Sequence, residues 1–288
     1  VIDSAINLHH PSLEGQIQDQ IYSEYRSSES KPYEQYQPDF SVDTHGSHVA
    51  GIIAAKSRGG VEGVATETKI YGVQITGHNT HGESNPDFKY PNIYDYFKDK
   101  NVVAINNSWN STLYPLSGLN TVTRSSSFFM DDPDTPSTYI PTIEQNKVAS
   151  DLIKLSKEKN ILSVFAAGNE GISSPGIMAL APYYDEKVRS MLVVGALDRN
   201  GIIEHDDGRL QITLEGATYY SNSLKGAYNF GLVAPGTDIK NVDASYRAGR
   251  AEFRTQSGTS MAAPMVTGAA ALVAQKFPFM NGKQIADV

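Results

Sequence analysis

Four polar residues of this chain stand where a strand or helix end would present them: Asp3, His45, Asn169 and Ser260. Asp3 closes the short apolar opening Val1-Ile2-Asp3-Ser4. An acid at the carboxyl end of a buried strand points into the crevice where α/β proteins bind ligands. The same acid can simply cap a turn. His45 opens His45-Gly46-Ser47-His48-Val49-Ala50-Gly51, just ahead of a predicted helix of small residues. Gly46 and Gly51 allow that helix to pack closely, and an imidazole held there can serve as a general base near neutral pH. A helix-capping role is the plain alternative. A metal pair with His48 is disfavoured, because no Glu stands at the spacing of a His-Glu-x-x-His motif. Ser260 lies in Ser257-Gly258-Thr259-Ser260-Met261-Ala262-Ala263-Pro264, at the start of a long apolar stretch. A helix N-terminus carries free N–H groups and a positive dipole end, which favour an oxyanion beside the hydroxyl. An N-cap serine is the competing reading. Pro264 is tolerated in a first turn, and Ala262 and Ala263 leave room around the hydroxyl. Asn169, in Ala166-Ala167-Gly168-Asn169-Glu170-Gly171, follows a buried strand. Its amide can donate to a developing oxyanion, or close a turn.

These residues need rigid elements to hold them. Short apolar runs at Lys69–Ile75, Val102–Asn106, Ile161–Ala166, Met191–Leu197 and Gly231–Ala234 suit strands covered on both faces. Helical segments alternate with them. Gly46–Ala55 is compact and apolar. Thr142–Lys159 puts Ile143, Val148, Leu152 and Leu155 near one face. Ser260–Phe277 is apolar almost all round and is expected to run through the core. Strands alternating with helices argue a parallel sheet with crossovers, hence α/β. Two regions depart from this pattern. The stretch 110–141 is polar, contains Pro115, Pro133, Pro136 and Pro141, and reads as a surface insertion. The stretch 204–230 carries Leu210, Ile212 and Leu214 in alternation, which predicts a β-hairpin. His81-Gly82 repeats the His-Gly pair inside a polar loop with no apolar helix after it, so His81 reads as surface.

Composition narrows the function classes. With 288 residues, 40% hydrophobic and 19% charged, the chain fits one large soluble domain over 1–288, and no Gly/Ser- or Pro-rich tether divides it. A net charge of −8 without a basic cluster argues against nucleic acid and anionic membranes as partners. Cysteine is absent, which removes disulfides, thiolate metal sites and a Cys nucleophile. No apolar run reaches the length of a membrane span. The opening Val1-Ile2-Asp3 reads as a strand already inside a fold, so residues upstream are expected. The run Gln284-Ile285-Ala286-Asp287 reads as the opening of another helix.

Together the motifs resemble the subtilisin-like serine proteases. That family combines an Asp at a strand end, His-Gly-Thr-His-Val-Ala-Gly, Ala-Ala-Gly-Asn and Gly-Thr-Ser-Met-Ala-Ala-Pro, in the chain order Asp, His, Ser. Ser47 in place of Thr is the only departure within those stretches. The resemblance runs from Asp3 to the helix after Ser260 and implies a three-layer α/β fold, a mostly parallel central sheet flanked by helices. By resemblance, Ser260 is the nucleophile of an endopeptidase, His45 its base and Asp3 the orienting acid. Asn169 is the oxyanion donor, joined by the Ser260 N–H. Ser108, Trp109 and Asn110 correspond to the family's substrate-binding strand, usually Ser-Leu-Gly, which pairs with a peptide backbone. Trp109 and Asn110 depart from that form, and a Trp beside the specificity pocket is expected either to narrow it or to form an apolar wall for another subsite. The backbone of Ala167 and Gly168 is expected to wall the pocket.

The family often uses calcium for stability. The usual loop after the His helix, here Lys56–Glu62, is short and carries Lys56 and Arg58, poor neighbours for a hard cation. No calcium is expected there and no cofactor is required. A site near Asp131, Asp132 and Asp134 stays open. No other metal site is expected. The C-terminal stretch and the inserts are similar to the passenger proteases of bacterial autotransporters, which implies secretion or a bacterial cell-surface location. The family also implies protein or peptide substrates, a pro-segment in the precursor and a monomer. An esterase reading fails on the missing second glycine of Gly-x-Ser-x-Gly and on the triad order. An inert binding or adhesion module on the same scaffold is the remaining alternative.

Overall fold

The computed structural model describes residues 1–26, 31–57, 60–77, 87–109, 146–172, 174–213, 216–245 and 252–288. Seven strands make one sheet: β1 (Ile2–Asp3), β2 (Ile17–Ile21), β3 (Ile70–Gln74), β4 (Ala104–Asn107), β5 (Leu162–Ala166), β6 (Met191–Leu197) and β7 (Gly231–Pro235). Their spatial order is β7-β6-β5-β4-β1-β3-β2, and every neighbouring pair is parallel. Three longer helices flank the sheet, α1 (His45–Ala54), α2 (Lys147–Lys159) and α3 (Thr259–Lys276).

Strand β5 shows why the layers separate. All five of its residues are buried. Leu162, Val164 and Ala166 join Ala262, Ala263 and Val266 of α3 on one face. Phe165 joins Leu152 and Leu155 of α2, with Ile93 and Phe97 of a short helix, on the other. This two-residue alternation divides the core into two apolar layers. Burying Leu152 and Leu155 completely contributes about 1.5–3 kcal/mol each. Helix α2 starts at Asn146, whose side chain accepts the Ala149 N–H, and stops at Asn160 in the left-handed conformation. Among the described residues, no helix is long and apolar enough to cross a membrane.

The expected strands are present to within a residue or two at each end, and β6 matches its expected limits. Helix α3 departs from expectation in its second half. Thr259–Gly268 is mostly buried between sheet and α1, but Ala269, Leu272 and Lys276 reach solvent. In its last turns only one face is covered, where Val273 and Ala274 pack against the core cluster that includes Ile285. The hairpin is smaller than expected and starts earlier. Ile202–Glu204 pairs antiparallel with Leu210–Ile212, and Leu210 and Ile212 are exposed. Its alternation reflects strand pairing at the surface rather than a buried face. Residues 216–230 form turns instead, apart from one isolated bridge at Ala217. Leu214, His81 and all of 110–141 lie outside the described residues.

Strand order places the functional end of the sheet. From β1 the chain runs to the edge strand β2 and returns through β3 on one side, then crosses β1 and builds outward through β4, β5, β6 and β7 on the other. The reversal lies between β1 and β4, and the crevice at their carboxyl ends is where open α/β sheets bind ligands.

Two histidines are built into the core away from that crevice. His48 is fully buried, and its Nε2–H donates to the Ile239 and Arg254 carbonyls at 3.1 and 3.2 Å. Burial, only partly offset by those carbonyls, lowers its pKa to about 4. His10 donates from Nε2 to the Glu252 carbonyl and accepts the Ser12 N–H on Nδ1, and burial lowers its pKa too. A histidine kept neutral in the fold costs nothing above its unfolded pKa. Stability is lost as pH falls from the ordinary 6.5 toward about 4, on the order of 3 kcal/mol for His48. Urea unfolding followed from pH 7.5 to 4.5 should therefore steepen in its loss of stability below pH 6.5. In His48→Gln that loss should be visibly shallower, whatever the variant's stability at neutral pH.

Candidate active site

The carboxyl end of β1 and the first turn of α1 meet face to face. Asp3 is 1% exposed, and its Oδ1 lies 2.6 Å from His45 Nδ1. The same oxygen accepts the Ser4 N–H at 2.7 Å. Ser4 Oγ accepts the Gly46 N–H at 2.9 Å, satisfying one free donor at the helix start. A Cβ on Gly46 would sit 2.1 Å from the Ser4 carbonyl. Only glycine lets helix and strand end approach this closely. With Nδ1 donating to Asp3, the basic lone pair of His45 is on Nε2, away from the carboxylate.

Burial opposes protonation of His45, but the adjoining Asp3 carboxylate, its hydrogen bond and the Asp43 carboxylate more than offset it, so its pKa is raised. Asp43 is itself buried and accepts the Tyr36 hydroxyl at 2.8 Å. The residue between, Thr44, accepts a hydrogen bond from the Arg254 guanidinium. The turn into α1 is therefore held from both sides.

Ser260 is the second residue of α3. Its carbonyl would normally accept the N–H four residues on, but that residue is Pro264, which has none. The Ser108 hydroxyl donates to it instead, at 2.8 Å. In return the Ser260 hydroxyl donates to the Ser108 carbonyl at 2.9 Å. Among the described residues, no hydrogen bond joins Ser260 to His45. Behind Ser108 the hydrogen bonds continue into the core. Thr267 Oγ1 donates to Asn106 Oδ1 at 3.0 Å, and Asn106 Nδ2 donates to Ser108 Oγ at 2.9 Å.

Asn169 follows β5 and is exposed. Its Oδ1 accepts the Thr259 N–H at 2.9 Å and the Thr259 hydroxyl at 3.0 Å. Both lone pairs are occupied, so the amide cannot flip, and Nδ2 is left on the side of Gly258. Thr259 Oγ1 also accepts the Gly168 N–H at 3.1 Å. The β5 loop and the start of α3 are thus joined one residue before Ser260. Trp109 packs edge-on to Phe165 with ring centroids 5.7 Å apart. It rests on the α2-side core. Asn110 lies outside the described residues.

A carboxylate, an imidazole, a serine at a helix N-terminus and an oriented amide therefore gather at one end of the sheet. The model of the subtilase family of S8 peptidases matches residues 1–288. The chain belongs to the subtilase family. An "Extracellular serine protease" of Serratia marcescens is 29% identical over 320 residues, covering 100% of this chain and 28% of that protein. The "Neisserial autotransporter lipoprotein NalP" of Neisseria meningitidis is 32% identical over 130 residues, covering 45% of this chain and 12% of that protein. The chain thus spans less than a third of either relative. The solved structure titled "Sphericase" superposes with a TM-score of 0.62 at 18% identity, over 99% of this chain and 80% of that one, and supports the fold alone.

Within this subtilase domain, sequence motifs led to Asp3, His45, Asn169 and Ser260, but not to Asp43, Tyr36 or Arg254. Thr259 lay inside a motif without an assigned part. Among the described residues, no three His, Asp or Glu side chains converge as metal ligands. Arg58 of the Lys56–Glu62 loop and Asp131, Asp132 and Asp134 lie outside them.

The raised pKa of His45 sets a sign. The Asp3–His45 pair stabilises the fold at low pH, and this contribution is lost as pH rises through the folded-state value. NMR titration of the His45 ring should give a midpoint above that of a free histidine, and Asp3→Asn should lower it. A midpoint unmoved by Asp3→Asn would remove Asp3 as the source of the shift.

Proposed function

We propose that this domain cuts peptide bonds within proteins through an acyl-enzyme intermediate. The observation that carries the reading is the 2.6 Å bond from buried Asp3 to His45, at the end of the sheet where α3 presents Ser260. His45 Nε2 takes the Ser260 proton as Oγ attacks the scissile carbonyl. The C–N bond then breaks, and the same proton passes to the leaving amine. Water repeats the sequence on the ester, releasing the acid and restoring the serine. Asp3 keeps Nε2 as the basic nitrogen and stabilises the imidazolium. The negative oxygen of each tetrahedral intermediate is met by Asn169 Nδ2 and the Ser260 N–H at the helix N-terminus. Attack requires the hydroxyl to leave the Ser108 carbonyl and turn toward His45. Such bonds are often unformed without substrate. Because the base must be neutral, activity rises with pH through the raised pKa of His45.

An extended peptide adds along Ser108–Asn110 and is walled by Ala167 and Gly168, with Trp109 filling the place of a smaller family residue. The proposal extends to an exported domain, secreted or held at a bacterial surface, made with a pro-segment and working as a monomer. Exported relatives and the family membership support it. Catalysis by this arrangement needs no metal, and no calcium is proposed at Lys56–Glu62.

Cleavage of unfolded casein by the domain, by Ser260→Ala and by domain treated with a serine-directed phosphonate tests the mechanism. Ser260→Ala should lose activity by about 10⁴-fold or more, and the phosphonate should abolish it. Asn169→Ala should lower kcat by about 10²–10³-fold with little change in KM, a range carried over from subtilisins. Cleavage that persists in Ser260→Ala would overturn the assignment. A folded domain that neither cleaves nor takes the phosphonate would instead be a binding module.

A further inference from the structure

The amide of Asn169 can serve an oxyanion only if the loop carrying it holds one shape. That loop leaves β5 at Ala166 and turns back through Gly171, which sits at φ +66°. A Cβ there would lie 2.7 Å from the Tyr219 carbonyl, so the turn is pressed against the segment 219–223. At the centre of the contact is Asn222, 2% exposed and belonging to none of the sequence motifs.

Every polar group of the Asn222 side chain is used on this loop. Its Oδ1 accepts the Glu170 N–H at 3.0 Å and the Ile172 N–H at 3.2 Å. Its Nδ2 donates to the Ala167 carbonyl at 3.1 Å and to the Glu170 carboxylate at 2.7 Å. Its own N–H donates to the Gly168 carbonyl at 3.0 Å. A side-chain amide offers two donors and two acceptor lone pairs, and all four are satisfied. The contacts fall on the residues before and after Asn169 and on none beyond the loop. Neighbouring backbone bonds, Gly171 N–H to the Tyr220 carbonyl and Ser223 N–H to the Ile172 carbonyl, both 2.8 Å, close its flank.

We propose that Asn222 is a positioning residue for the oxyanion hole, a buried amide around which the Asn169 loop is wrapped. Thr259 fixes the rotation of the Asn169 side chain, and Asn222 fixes the backbone from which it projects. This role rests on the reading of Asn169 as oxyanion donor. Loss of Asn222 leaves Ser260, His45 and Asp3 in place and moves the donor. A small displacement of such a donor lowers the rate of the chemical step rather than substrate binding.

The test is a double-mutant cycle on a chromogenic peptide anilide, using the domain, Asn222→Ala, Asn169→Ala and the double variant. Asn222→Ala should lower kcat about tenfold to a hundredfold with KM nearly unchanged. In the Asn169→Ala background the same change should cost less than about twofold, because the donor it positions is gone. Equal losses in both backgrounds, or no loss in either, overturn the proposal. If Asn169→Ala itself leaves kcat unchanged, the oxyanion reading fails and this role falls with it, a separate result. Should Asn222→Ala not fold, Asn222→Asp serves. It keeps both acceptor contacts but sets a second carboxylate against Glu170 and should lower kcat. Adding Glu170→Gln, which removes the like charge and supplies a donor, should restore part of the loss, the Ala167 carbonyl still facing an oxygen in place of its donor; no recovery overturns the proposal.

Discussion

A helix driven through a protein core must satisfy every polar group it carries there. For the first half of α3 that requirement shapes the rest of the site. Pro264 withholds the N–H that the Ser260 carbonyl would use, and the deficit is met by the hydroxyl of Ser108, the residue after β4. The hydroxyl is itself aligned by Asn106, and Asn106 by Thr267 one turn beyond the proline. The donors run in one direction, Thr267 to Asn106 to Ser108 to Ser260, with the Thr267 hydroxyl also 3.1 Å from the Ala263 carbonyl of its own helix. A buried network with every member satisfied rigidifies what it joins. Here it joins β4 to Ser260, the nucleophile of the mechanism proposed.

The same economy recurs around the other groups. Gly46 brings α1 onto the Asp3–Ser4 turn. His48 hooks the far side of α1 to the antiparallel ribbon Ile239–Val242/Phe253–Gln256 through two carbonyls. That ribbon leads directly into Gly258 and Thr259. The histidine helix and the serine helix are thus tied by a short covalent path and by an imidazole that burial keeps neutral down to about pH 4. Asp3, His45 and Ser260 come from separate stretches, yet few soft degrees of freedom lie between them.

The central sheet was legible because its strands are covered on both faces. Met191–Leu197 is apolar along nearly its whole length, and its limits could be read directly. The edge strand Ile17–Ile21 was not read, since Gln18, Asp19 and Gln20 face outward or into polar partners and leave no apolar run. The ribbons around Glu24–Arg26 and Ile239–Val242 escaped for the same reason. Asp3, His45, Asn169 and Ser260 were legible because their neighbours are unusual in composition. Thr259, Arg254 and Asn222 were not, because their parts arise from contacts with distant segments. Asn222 meets Glu170 across 52 positions, Thr259 meets Asn169 across 90, and Arg254 meets Thr44 across 210. Ser, Thr and Asn are common at turns, so type alone gives no sign of such a role.

The reciprocal bonds between Ser108 and Ser260 also describe a resting state. In the mechanism proposed, the hydroxyl that attacks substrate is parked on a main-chain carbonyl rather than on its base. Leaving that position takes rotation about one side-chain bond, a motion of picoseconds to nanoseconds near a surface. Turnover is slower by many orders of magnitude, so parking imposes no delay. What it supplies is a definite idle position, in which the oxygen is occupied and the imidazole is left to exchange protons with solvent on its own schedule.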